Sequence, residues 1–148
     1  MTMPLDSPRL TAWAVELAEH VAKLSKDPST RVGAVIFDEK RRIISTGYNG
    51  LPRGVRDTDQ RLTDRSRKLR MVQHAERNAL AFASRSVDGA TLVCTHPCCA
   101  QCAGAAIQAG ISNVVWPKPS DEMVRRWGDD FADALVMFKE ADVNVFEV

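Results

Sequence analysis

Net charge is almost missing from this chain: 20 basic and 19 acidic side chains leave +1 over 148 residues. That removes the general electrostatic argument for a nucleic-acid or membrane partner. Aromatics are scarce at 6%, with a single Tyr, so stacking platforms for single-stranded nucleic acid have little to be built from. No apolar run approaches the ~18 residues of a membrane span, and Met1–Ser7 contains no signal-peptide core. A soluble, cytoplasmic protein is expected. Internal repeats, low-complexity tracts and interdomain linkers are also lacking, so residues 1–148 read as one domain, long enough for a substantial core. The four cysteines do not form the framework of a secreted, disulfide-stapled protein, because three of them crowd into Cys98–Cys102.

What is present in that stretch is chemically specific. His74-Ala75-Glu76 is followed by Pro97-Cys98-Cys99-Ala100-Gln101-Cys102. One imidazole and two thiols at CxxC spacing are a ligand set suited to Zn2+. Three protein ligands leave a fourth tetrahedral position for water, whereas a closed structural site would want another Cys or His. Cys99 and Cys102 have the CxxC spacing and are the expected ligands with His74; Cys98 stands one residue out of register. Glu76 lies two residues beyond His74, about 200° round a helix at ~100° per residue, so the two side chains rarely bind one metal. It suits instead a proton carrier facing the open position.

The rest of the chain reads as alternating elements. Ser7-Pro8 starts a helix whose Leu10, Trp13, Ala14, Leu17, Val21 and Leu24 recur at helical spacing to about Ser25, where Asp27-Pro28 ends it. His20 is off that stripe and reads as inert. Val32–Phe37 and Ile43–Tyr48, separated by Asp38–Arg42, read as a β-hairpin. A Gly/Asn/Pro loop follows through Gly54. Residues 53–70 carry seven basic side chains against three acidic ones; a solvated face and an anion site are both open readings. Residues 74–84 read as a helix with Phe82 available for burial, and Thr91–Thr95 as a buried strand with Cys94 a core residue. Pro97 precedes a helix to Gln108, capped by Gly110. Its N-terminus carries both ligand thiols, which favours thiolates. His96, next to the site, is open to tuning it, but reads more readily as core or loop filler. Asn113–Trp116 is a strand, Ser120-Asp121-Glu122 opens a helix that Gly128 breaks or kinks, and Val143–Val148 is a last strand, parallel to its predecessor. The order α-β-β-α-β-α-β-α-β implies a three-layer α/β/α fold, a mixed five-stranded sheet with helices on both faces.

Pairing of H-x-E with P-C-x-x-C is a known mark of zinc nucleobase deaminases. Ser25-Lys26-Asp27-Pro28-Ser29-Thr30-Arg31-Val32-Gly33-Ala34-Val35 and Ile44 through Val55, with its Gly47-Tyr48-Asn49-Gly50-Leu51-Pro52-Arg53-Gly54 core, narrow the likeness. With His74–Ala79 and Pro97–Ile111, the chain resembles the cytidine/deoxycytidylate deaminase superfamily, and within it the deoxycytidylate (dCMP) deaminases. One departure is that the family usually has Pro directly before the first ligand Cys, where this chain has Cys98.

The resemblance implies a cytidine deaminase-like fold and the zinc-dependent hydrolysis of dCMP to dUMP and ammonia, dUMP being a precursor for thymidylate. Glu76 would be the catalytic proton shuttle. Asn49 would contact the sugar, and the backbone near Ala75 and Ala34 the base. Lys26, Arg31 and Lys118 are expected near the substrate phosphate from their charge and nearby motifs. Many such enzymes are hexamers activated by dCTP and inhibited by dTTP, with Mg2+ accompanying the triphosphate. Tyr48, Gly50, Arg53 and Arg56 would then serve an effector site between subunits of a homo-oligomer. The competing readings are action on dCTP, CMP or a base in single-stranded nucleic acid, and a non-catalytic zinc-binding module.

Overall fold

A computed structural model of the chain describes residues 4–148, so Met1–Met3, part of the segment read as lacking a signal peptide, lie outside the described residues. Five strands form one sheet in the order β2-β1-β3-β4-β5: β1 (Gly33–Phe37), β2 (Ile43–Tyr48), β3 (Thr91–Cys94), β4 (Asn113–Trp116) and β5 (Asn144–Glu147). The first two make the expected hairpin, with Asp38 accepting the Lys40 and Arg42 amides across the turn. β1 also pairs antiparallel with β3, while β3–β4 and β4–β5 are parallel. The mixed five-stranded sheet is therefore present.

Alternation along the strands divides two cores. Val35, Phe37, Val93 and Val115 face α1 (Pro8–Ala22). Ala34, Ile36, Leu92, Cys94, Val114 and Trp116 face the other way, toward α4 (Ala75–Ala81), α5 (Ala100–Ala109) and α6 (Asp121–Glu140). Both central strands are buried throughout, as expected of strands covered on two faces.

The helices differ from the sequence pattern in instructive ways. Ser7 caps α1 as expected, accepting from the Leu10 amide at 3.1 Å. Its buried face, however, is Thr11, Ala14, Val15, Ala18 and Ala22, while Trp13 and Leu24 are exposed. Small residues let α1 lie directly on the sheet, and Leu24 falls beyond the helix end. Similarly, a Cβ on Gly47 would stand 2.3 Å from the Ala75 carbonyl oxygen and 2.4 Å from the Ala79 amide nitrogen. The missing side chain lets α4 rest against β2. Phe82 is not buried, because α4 ends one residue before it; the Arg53 guanidinium covers its ring at 5.2 Å. Gly128 does not break α6, which runs unbroken from Asp121 to Glu140. Two short helices not foreseen, α2 (Asp59–Thr63) and α3 (Arg65–Met71), lie in the basic segment. Thr58 and Asp64 cap them through side-chain bonds to amides.

Candidate metal centre and active-site cleft

His74 is the residue at the N-cap of α4 and Cys99 that at the N-cap of α5. Each is therefore held where a loop turns into a helix, with Cys102 one turn further along α5. His74 Nδ1 lies 3.4 Å from the Sγ of Cys99 and 3.4 Å from that of Cys102. Tetrahedral zinc at ordinary Zn–N and Zn–S lengths separates N from S by about 3.5–3.6 Å. The three atoms thus fit the ion, and they form a cluster of ligand groups. The Cys102 amide also donates to Cys99 Sγ at 3.4 Å. In the thiol pair, hydrogen bonding from Cys102, then from His74, holds Cys99 below the usual thiol range. Cys102, as donor to Cys99, is pushed up, and His74 is raised by its bond to Cys99.

Cys98 turns the other way. It is fully buried, in a second cluster with Glu76 and Cys94, and its pKa is raised by the bond to Cys94 and by burial. The backbone of a helix N-terminus accounts for this: adjacent side chains diverge, so only residues three apart, Cys99 and Cys102, converge on His74.

Glu76 is 3% exposed. Burial pushes its carboxyl up to about 7, against the lowering effects of its own backbone amide, of His74 and of a bond with Cys102. A buried carboxyl beside three convergent ligand atoms is placed to take a proton and return it.

Glu76, His74, Ala75 and Cys99 line one side of a cleft of about 630 Å³. Ser29, Thr30, Val32 and Asn49 line it from the loop before β1 and the end of β2. Asn49 is buried, and its side chain holds that loop: Oδ1 accepts the Val32 amide at 2.8 Å and Nδ2 donates to the Thr30 carbonyl at 2.9 Å. Asp27 reinforces it by accepting the amides of Ser29 and Thr30 and an ion pair from Lys68 at 3.1 Å. Ala34 is not brought to the cleft. Its place in the middle strand, paired with Gly47 and Cys94, buries it completely, and Val32 lines the cleft instead.

The three cations expected near a phosphate are not among the residues that line the cleft. Lys26 is exposed and paired with Asp57 at 3.0 Å, and neither Arg31 nor Lys118 lines the cleft. Arg65 and Lys68 from α3 and Arg126 from α6 do. Lys68 is spent on Asp27, whereas Arg65 and Arg126 have no carboxylate partner among the described residues; Arg65 lies over the Trp127 ring at 5.9 Å. The basic run was the one signal in sequence for Arg65, and nothing local marked Arg126. Also on the lining is Asp130, whose carboxylate accepts the Ala100 amide at 2.8 Å and so ties α6 to the first turn of α5. Tyr48, Gly50, Arg53 and Arg56 are not part of this lining. Gly50 pairs with Gln73, just before His74.

No helix among the described residues is long and apolar enough to cross a membrane. Residues 9–118 match the family profile described as the cytidine and deoxycytidylate deaminase zinc-binding region. An uncharacterized deaminase in the luxG 3′ region of Aliivibrio fischeri is 41% identical over 139 residues, covering 92% of this chain and 93% of that protein. Human deoxycytidylate deaminase is 38% identical over 101 residues, covering 64% of this chain and 57% of its own length, so the chain matches little more than half of that relative. Among solved structures, dCMP deaminase of the cyanophage S-TIM5, in complex with dCMP and dUMP, aligns with a TM-score of 0.75 at 26% identity, covering 96% of this chain and 98% of that one.

Proposed function

The chain belongs to the cytidine and deoxycytidylate deaminase family, and from that premise we propose that residues 1–148 act as one zinc-dependent domain that hydrolyses dCMP to dUMP and ammonia. The observation that carries the reading is the buried Glu76 carboxyl beside the convergent His74, Cys99 and Cys102 atoms at the cleft. His74 Nδ1 and the sulfurs of Cys99 and Cys102 would hold the ion, Cys102 giving up its proton on binding. When bound there, zinc would supply a water of lowered pKa. Glu76 accepts the proton that water gives up, delivers it to N3 of the cytosine ring, and helps protonate the departing 4-amino group. Ala75, on the lining, offers backbone to the base. Asn49 keeps the Thr30–Val32 wall in position, with its sugar contact part of the proposal. The two arginines without carboxylate partners favour a nucleotide over a nucleoside, since guanidinium groups pair with phosphate through planar, bidentate donors.

Ammonia release measured in parallel for dCMP, dCTP, CMP and deoxycytidine tests this. The expected order has dCMP first in kcat/KM. A higher value for dCTP or CMP overturns the substrate assignment, and inactivity on all four leaves a zinc-binding module.

Assembly and regulation extend the proposal. Tyr48, at the end of β2, and Arg53, over the Phe82 ring, are both exposed, and the loop between them runs into the basic segment. In this reading the chain forms a homo-oligomer, a hexamer by family resemblance, with dCTP and dTTP held at that loop and Mg2+ entering only as the triphosphate's companion. The dCMP saturation curve is then sigmoidal and becomes hyperbolic with dCTP, and replacing Arg53 and Arg56 by Ala weakens both effects together. A monomer by light scattering, or a hyperbolic curve indifferent to both triphosphates, defeats it.

A further inference from the structure

In sequence His96 reads more readily as filler than as a group that tunes the site, and its surroundings favour a role at the site. It lines the cleft alongside His74, Glu76 and Cys99. Its Nδ1 lies 2.7 Å from Thr95 Oγ1. That hydroxyl oxygen also accepts the Gly33 amide at 3.1 Å, a group that can only donate. The hydroxyl has one proton to give. If Nδ1 carried hydrogen, Thr95 Oγ1 would accept twice and its own proton would have no recorded acceptor. Thr95 therefore donates to Nδ1, and the ring hydrogen sits on Nε2. This tautomer has a rigid foundation, because the Gly33 amide is fixed where β1 meets α1: a Cβ there would come within 2.0 Å of the Ala18 carbonyl oxygen. Nε2 has no protein partner, yet no buried side-chain nitrogen or oxygen among the described residues is unpaired. Nε2 is therefore accessible, on a ring that lines the cleft.

We infer that His96 is a substrate-binding residue whose Nε2–H donates a hydrogen bond to a neutral oxygen of the nucleotide, a sugar hydroxyl or the pyrimidine carbonyl. Burial lowers the pKa of this imidazole, which suits an uncharged donor to an uncharged acceptor and leaves the phosphate to Arg65 and Arg126. The inference rests on the dCMP reading.

Steady-state kinetics and zinc content of His96→Ala, His96→Gln and Thr95→Val test it. One neutral hydrogen bond is worth about three- to tenfold in binding. His96→Ala is expected to raise KM for dCMP by that factor with kcat nearly unchanged and zinc retained. His96→Gln, whose amide N–H can reach the Nε2 position, should recover most of the loss. Thr95→Val, which frees the ring, should fall between wild type and His96→Ala. Repeating the measurement with 2′,3′-dideoxyCMP separates the two acceptors: the His96→Ala penalty disappears if the 3′-hydroxyl is bound and persists if the carbonyl is. An unchanged kcat/KM in His96→Ala, loss of zinc together with activity, or a Gln variant no better than Ala overturns the inference. If wild type fails to deaminate dCMP, both readings fall; if wild type is active and His96→Ala matches it, only this one does.

Discussion

On the side of the cleft formed by α4 and the start of α5, side chains are buried and fixed. Glu76, Ala75 and Cys102 are almost inaccessible, and the groups that would do chemistry sit at helix starts packed on the sheet. On the side formed by α3 and α6 the lining includes exposed Arg65, Arg126 and Trp127; α2 buries no residue and α3 only Lys68. The first wall needs positions held to a fraction of an ångström, which a packed core supplies. The second needs charge in roughly the right place, which long side chains on a surface supply.

Substitutions can break or sharpen that contrast. The largest effect is expected at Glu76. Glu76→Gln should lower kcat for dCMP by about 10²–10⁴-fold while metal analysis finds zinc retained; loss of the metal would make Glu76 a ligand instead. Next comes the thiol register. Cys99→Ala should lose zinc, whereas Cys98→Ala should keep it and show only the lower Tm of a trimmed core residue. The reverse result would exchange their assignments.

On the exposed wall the consequences should be smaller and selective. Arg65→Ala and Arg126→Ala are each expected to raise KM for dCMP by about tenfold, as loss of a charge-assisted bond does, with deoxycytidine turnover unaltered. An equal loss on both substrates would mean the arginines support the wall rather than read a phosphate. Two glycines test folding, and one of them should give the smallest effect of all. Gly47→Ala forces a Cβ into the α4 backbone and should cost about 1–3 kcal/mol in denaturant unfolding. Gly50→Ala, with nothing within 4 Å of its Cβ, should stay within about 0.5 kcal/mol.

The buried wall was also the legible one. CxxC spacing, H-x-E spacing and Gly110 at the end of α5 are local signals, and each corresponds to an element in the structure, Gly110 ending α5 with φ of 92°. The five strands were readable because Val, Ile and Phe runs bounded by turns have few other homes. Residues governed by distant neighbours were not readable. Arg126 reaches the cleft because α6 packs beside α5, which no local pattern encodes. Lys26 and Lys118 have the right charge near the right motifs, yet one pairs with Asp57 and the other, between β4 and α6, is not among the lining residues. α2 and α3 escaped notice because neither has an apolar stripe. Trp13 and Leu24 misled because apolar periodicity does not tell a wide stripe from one narrowed by alanines.

Lys68 carries a consequence for how the molecule opens. It is the single buried side chain of α3, and it spans to Asp27 and Ser29. Residues 59–71 are thereby fastened to the body chiefly by one ion pair instead of by apolar burial, so they can detach without the sheet unfolding. In native-state hydrogen exchange, their amides should exchange through a local opening that is insensitive to low denaturant, while those of β1 and β3 exchange only with global unfolding. That opening also withdraws Arg65 from the cleft. A bound nucleotide gripping Arg65 would have to be released first, so the protection of α3 amides becomes a clock for how long the cleft stays closed over its ligand.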